Sequence, residues 1–114
     1  MRHYEKMSNV MGKQKTDSCT RLYIAPGLGH SLSHNVLQKG AYGDVIPHQI
    51  DMLQVLDDWA TKKKVPADVL MQESRNLTAP FAVTATRPMC RYPAYPRYIG
   101  GDRSVGTNYV CSTE

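Results

Sequence analysis

Thr20-Arg21-Leu22-Tyr23-Ile24-Ala25 is a β-branched, aromatic and aliphatic run stopped by Pro26 and Gly27, and it reads as a buried strand. A buried strand needs strands beside it and helices over its faces, so the rest of the chain must supply them or leave the layer open. The surrounding sequence supplies little. Residues 2–11 place Tyr4, Met7, Val10 and Met11 at helical spacing, and Gly12 is a natural stop. Lys13 to Ser18 reads as a polar connector. Residues 26–47 hold Gly27, Gly29, Gly40 and Gly43 without a sustained period, which predicts a long loop of the kind that carries function.

The clearest helix follows Pro47, where Ile50, Leu53, Leu56, Trp59 and Ala60 trace one apolar stripe, with Trp59 as a core anchor. Val65 to Ser74 reads as a connector with one short helical turn. Phe81 to Thr86 alternates and stops at Arg87-Pro88, predicting a short edge strand. From Cys90 onward, Tyr92, Pro93, Tyr95, Pro96, Tyr98, Gly100, Gly101 and Gly106 predict an irregular tail. One strand between two helices cannot close an α/β layer. Part of the sheet is therefore expected to lie outside this chain.

The chain has 114 residues, a single-domain length, and 41% hydrophobic with 21% charged residues excludes a disordered or collagen-like chain. No run of about 18 apolar residues is present, so no membrane partner is expected, and the N-terminus shows no signal-peptide pattern. The net charge of +4 is scattered apart from Lys62-Lys63-Lys64, which suits a helix C-terminal end better than a nucleic-acid patch. Cys19, Cys90 and Cys111 form no CxxC pair, so a zinc ribbon is not expected. Cys90 and Cys111 flank the Pro- and Tyr-rich stretch, where a disulfide would offset poor packing in an oxidising compartment. Three free thiols in a reducing one fit the same composition.

The strand ends in Pro26-Gly27-Leu28-Gly29-His30, a glycine turn presenting a histidine, the arrangement that carries the general base after the last strand of a serine hydrolase sheet. Arg21 through His30 resembles the segment around the catalytic histidine of the tannase and feruloyl esterase family. Tyr4-Glu5-Lys6-Met7, the Ile50–Trp59 helix with Lys63-Lys64-Val65-Pro66-Ala67, Thr86-Arg87-Pro88-Met89-Cys90-Arg91-Tyr92-Pro93, Tyr98-Ile99-Gly100-Gly101-Asp102 and Val110-Cys111 are similar to further blocks of that family. The resemblance implies an α/β fold in which residues 1–114 form the C-terminal piece of an incomplete α/β-hydrolase domain: its last sheet strand, flanking helices and a disulfide-pinned tail. It also implies His30 as catalytic base, a Cys90–Cys111 disulfide, an aromatic ester as small-molecule substrate, and a secreted or periplasmic intact enzyme. Two departures stand out. Ser31 follows the histidine where many members have a cysteine tethered to the nucleophile's neighbour, and Leu32-Ser33-His34-Asn35 replaces a glycine-rich stretch.

Such esterases run serine, acid, histidine in chain order, yet only 29 residues precede His30. They contain no GxSxG-like elbow, and Asp17 sits just ahead of the histidine's own strand rather than after the preceding one. The nucleophile, acid, oxyanion donors and calcium-binding lid are expected upstream of Met1, so this chain is expected to need no cofactor and to be inactive alone. Rival readings are weaker. His30 and His34, with His48, could ligate a metal only on a helix that the glycines oppose, so no metal site is expected. Arg91-Tyr92-Pro93-Ala94-Tyr95-Pro96-Arg97-Tyr98 interleaves cations and aromatics like a single-strand binder, but its prolines and flanking cysteines favour a pinned loop, and no nucleic-acid partner is expected. Asn76-Leu77-Thr78 is a glycosylation sequon in a eukaryotic secretory setting. The alternative to an esterase portion is a non-catalytic remnant or binding module.

Overall fold

The computed structural model describes residues 1–29 and 38–114. Helix α1 (Arg2–Met11) gives way to α2 (Lys13–Cys19) at Gly12, whose φ of 84° lets the chain break and restart helically. The Gly12 carbonyl starts the second helix by accepting from both the N–H and the hydroxyl of Thr16, each at 3.0 Å, and Thr16 is fully buried. The predicted connector over 13–18 is thus helical. Its polar composition concealed a short helix held by one internal threonine.

Strand β1 is only Tyr23–Ile24, shorter than the predicted run. It pairs antiparallel with β3 (Val83–Arg91), Tyr23 opposite Arg91 and Ile24 opposite Cys90. Extending that register sets Pro26 opposite Pro88; neither has an N–H to give, so the ladder stops. On its other side β3 pairs with β2 (Val69–Arg75), giving the order β1-β3-β2. Two expectations are corrected here. Residues 69–75 are a strand rather than a helical connector, and the strand predicted as an edge over 81–86 runs on to Arg91 and lies in the centre. Pro88 is tolerated because it faces Met71 at a position where the β2–β3 ladder needs no N–H. The strand expected to be buried is half-buried and finds one neighbour among the described residues, and Gln49 adds a bridge to Glu73 on the far side of β2.

Beyond β3 the chain is not irregular, contrary to expectation. Strands β4 (Tyr95–Tyr98) and β5 (Tyr109–Ser112) form a two-stranded sheet, with a 3-10 turn at Gly106–Asn108 between them. The tail covers β3 where β1 stops: the Thr86 N–H donates to the Ser104 carbonyl at 2.8 Å, and the Gly106 N–H donates to the Thr86 hydroxyl at 2.8 Å. Among the described residues the core is small, with Ile46, Ala85, Met89, Cys90 and Tyr109 as its buried apolar members.

Helix α3 (Met52–Lys62) is capped by Asp51, which accepts from the Gln54 N–H at 2.8 Å. It ends at Lys63, left-handed at φ 55°, with the Lys64 N–H reaching the Asp58 carbonyl at 3.1 Å. Lys62 pairs with Asp58 at 2.8 Å, so the lysine run does finish a solvated helix end. A side chain at the left-handed position costs free energy that glycine does not, so Lys63→Gly is expected to raise stability by about 1 kcal/mol, read by urea denaturation. The apolar stripe, however, is not core: Leu53 is 80% and Leu56 60% exposed, and Trp59 is half-buried beneath Arg21.

Candidate functional site

The strand that the sequence singled out leads into a turn whose geometry is fixed by contact. Gly27 has φ 87°, and a Cβ there would stand 2.7 Å from Ile46 Cδ1. Both the backbone conformation and the buried neighbour demand glycine. Gly27→Ala is expected to cost about 2 kcal/mol in thermal or chemical unfolding, combining left-handed strain with displacement of Ile46. Two residues on, the Gly29 N–H donates to Gln38 Oε1 at 3.0 Å. Gly29 and Gln38 bracket the stretch that includes His30, and they are joined by this bond. His30 itself, with Ser31 and His34, lies outside the described residues.

Residues 38–46 make a small antiparallel turn. Ile46 N–H donates to the Gln38 carbonyl and Gly40 N–H to the Asp44 carbonyl, both at 2.8 Å, and Lys39 bridges Val45. Asp44 anchors this turn to the sheet, accepting from Arg87 Nη2 of β3 at 2.7 Å, with the two side chains only 14% and 12% exposed. Arg87 also donates to the Tyr109 hydroxyl at 3.0 Å and lies over its ring at 4.9 Å. Arg103 stands 4.1 Å from the ring centres of both Tyr42 and Tyr98. The turn after β1 is thus held by Ile46, Gln38, Asp44 and Arg87. Asp44→Ala, which strips a sequestered guanidinium of its carboxylate, is expected to cost about 2 kcal/mol of unfolding free energy. Sequence reasoning missed Gln38, Asp44 and Ile46 and met Arg87 only inside a family block, because contacts made across a turn or 43 positions apart leave no local pattern.

Asp17 has a structural occupation. Its carboxylate binds Lys13, accepts from Arg91 Nη2 at 2.7 Å and receives the Tyr4 hydroxyl at 3.5 Å. Arg91 in turn donates to Asp68 at 2.9 Å, so α2, β3 and the start of β2 are tied together. Lys13 first, and Arg91 with it, hold the Asp17 carboxyl down from 3.8 to about 2. A depressed carboxyl contributes stability above its unfolded value that is lost as pH falls through its folded one. The contribution of Asp17 is accordingly expected to disappear between about pH 4 and pH 2. Asp17→Asn should flatten the unfolding free energy against pH in that window.

Cys90 and Cys111 are joined by a disulfide with Cα atoms 5.6 Å apart, which ties the end of β3 to β5, and Cys19 is exposed and free. The Arg- and Tyr-rich stretch is engaged internally: Arg91 as above, Tyr92 with Glu5 and edge-on to Tyr4 at 5.7 Å, and Tyr98 with the Gly101 carbonyl. Among the described residues, neither buried ring nitrogen of His48 has a hydrogen-bond partner. Among the described residues no group of three His, Cys, Asp or Glu is placed to hold a metal, and no helix is long and apolar enough to cross a membrane.

The family model for tannase and feruloyl esterase matches residues 1–112. The chain belongs to the tannase and feruloyl esterase family. Within it, the chain is 31% identical over 103 residues to a probable feruloyl esterase of Arthroderma benhamiae, covering 90% of this chain and 17% of that protein. It is 29% identical over 112 residues to the mono(2-hydroxyethyl) terephthalate hydrolase of Piscinibacter sakaiensis, covering 96% and 16%. Among solved structures, feruloyl esterase B from Aspergillus oryzae superposes with a TM-score of 0.67 at 20% identity, over 96% of this chain and 22% of that one. A second Aspergillus oryzae esterase gives 0.60 at 20% identity, covering 96% and 23%. The chain therefore spans about one sixth of the length of these curated relatives, and its mixed helix and sheet fold is similar to about a fifth of feruloyl esterase B.

Proposed function

We propose that this chain is the C-terminal portion of an α/β-hydrolase that cleaves esters of aromatic acids by a serine–histidine–acid mechanism, with His30 as its general base. The observation that carries the reading is the turn after β1. In a chain matched by the family over residues 1–112, β1 runs into a glycine turn packed on Ile46, and the Gly29–Gln38 bond joins the two ends of the stretch whose sequence contains His30. In the intact enzyme His30 would take the serine proton as the ester is attacked and return it to the leaving alcohol or phenol. The sequence of this chain offers no serine elbow, and Asp17 is committed to Lys13 and Arg91, so nucleophile, acid and oxyanion donors are assigned to another part of the enzyme.

The chain is then inactive by itself, for His30 has no proton to abstract and no developing charge beside it. The Asp44–Arg87 pair and the Gln38 bond are assigned the positioning work that a cysteine at position 31 would share in relatives. The Cys90–Cys111 disulfide supports a secreted or periplasmic setting. Calcium, where the family uses it, is assigned to the upstream lid. The direct test is a fusion in which this chain replaces the matching stretch of the Arthroderma benhamiae relative. Hydrolysis of a small phenolic ester by the fusion supports the reading; a folded but inert fusion contradicts it.

A further inference from the structure

The hairpin between β2 and β3 carries a motif that the esterase reading leaves unused. Of the four asparagines in the sequence, Asn9, Asn35, Asn76 and Asn108, only Asn76 opens an Asn-X-Thr triplet, with Leu77 between it and Thr78. The triplet falls at the hairpin tip, after β2 ends at Arg75 and before β3 starts at Val83, and all three residues are exposed. Backbone groups close the hairpin. The Asn76 N–H donates to the Ala82 carbonyl and the Phe81 N–H to the Thr78 carbonyl, both at 2.9 Å, and Arg75 Nη1 donates to the Phe81 carbonyl at 3.1 Å. None of these bonds uses the Asn76 amide or the Thr78 hydroxyl. Asn108 is the opposite case, for its side-chain amide donates to the Asp102 carbonyl at 2.9 Å within the tail. The Asn76 side chain can therefore carry a large group without breaking a bond that closes the turn. Beside it Leu77 and Phe81 are 62% and 52% exposed, so the tip is apolar around its one amide.

We propose that Asn76 is an N-glycosylation site, which takes an oligosaccharide from a lipid-linked diphosphate donor as the chain enters a eukaryotic secretory pathway. In that transfer Asn76 Nδ2 forms a bond to the anomeric carbon of the first sugar, and the bond from that carbon to the diphosphate breaks. One amide proton leaves, and nothing is oxidised or reduced. Thr78 supplies the hydroxyl that the transferase reads two residues after the amide. The attached sugar stands in solvent and covers Leu77 and Phe81, which keeps the tip from associating with other chains. The inference rests on the secreted one of the two settings proposed above and not on the ester chemistry.

Intact mass tests it. The full 114-residue chain is produced in yeast behind a secretory leader, and the chain from both medium and cells is weighed before and after a glycosidase that cleaves the bond between asparagine and sugar. The wild-type chain is expected to carry a hexose-containing adduct that the glycosidase removes, leaving the peptide around Asn76 deamidated. Asn76→Gln and Thr78→Ala should each lose the adduct completely, while Thr78→Ser keeps it, so the loss follows the motif and not the fold. On size exclusion the aggregated fraction should rise about threefold in Asn76→Gln and return to the wild-type level in Asn76→Gln/Leu77→Ser/Phe81→Ser. An unmodified wild-type chain, an adduct that survives Asn76→Gln, or equal aggregation with and without the sugar would each overturn it. In the fusion to the body of the Arthroderma benhamiae relative, Asn76→Gln should remove one glycan and leave ester hydrolysis unchanged. A fusion glycosylated at Asn76 but inert counts against the proposed function alone, and an active fusion bare at Asn76 counts against this site alone.

Discussion

In an esterase completed by this chain, His30→Ala is expected to lower kcat on a phenolic ester by on the order of 10⁴-fold or more, with KM changed little. The reason lies in the division of labour. A serine hydroxyl is a poor nucleophile at neutral pH, and the imidazole both removes its proton and supplies one to the departing oxygen. Removing the base leaves whatever the oxyanion donors and binding provide. Asp17→Asn in the same background is expected to stay within tenfold of wild type, because Asp17 serves Lys13 and Arg91. Initial rates of the two variants across substrate concentration separate a base from a structural carboxylate. Comparable losses in both would contradict the assignment.

The second large effect concerns stability. Replacing Cys90 and Cys111 by serine is expected to cost about 3 kcal/mol, because the pair closes a loop with a sequence separation of 21. The bond joins two separate sheets whose shared apolar core is small, so packing offers little to compensate. For a domain of this size the loss should lower Tm by more than about 10 °C. A thermal melt with and without reductant reads the same quantity on the wild-type chain. A shift under about 2 °C would mean that the β4–β5 sheet holds to β3 without it.

The sequence was most legible where local chemistry decides the outcome. The spacing of Tyr4 and Met7, the stop at Gly12 and the Leu53, Leu56 and Trp59 stripe marked helices that are present, although the helix expected from Pro47 starts only at Met52, where Asp51 caps it. Strand β1 and its glycine turn were readable for the same reason, although the proline pair Pro26 and Pro88 cut the strand to two residues. What was hidden depends on partners distant in sequence. Residues 69–75 have mixed polarity and become a strand only because β3 lies beside them. Pro88 suggested an edge, yet its missing N–H falls where the central strand needs none. The tail looked irregular because Pro96 and the glycines mask a ladder between residues 95–98 and 109–112. The α3 stripe was correctly seen as apolar, but periodicity identifies a face that wants cover without identifying what covers it. At the site, the turn and the disulfide pair were foreseeable from the resemblance, whereas Gln38, Asp44 and the pairing of Arg87 with Asp44 came only from the structure.

As proposed, this chain brings the base to an esterase whose nucleophile lies elsewhere. The most direct measurement of this is the rate of phenolic ester hydrolysis by the purified 114-residue chain, set beside that of its fusion to the body of a relative. No hydrolysis above the buffer rate is expected for the chain alone, and clear turnover is expected for the fusion. Hydrolysis by the isolated chain that vanishes on His30→Ala would contradict it.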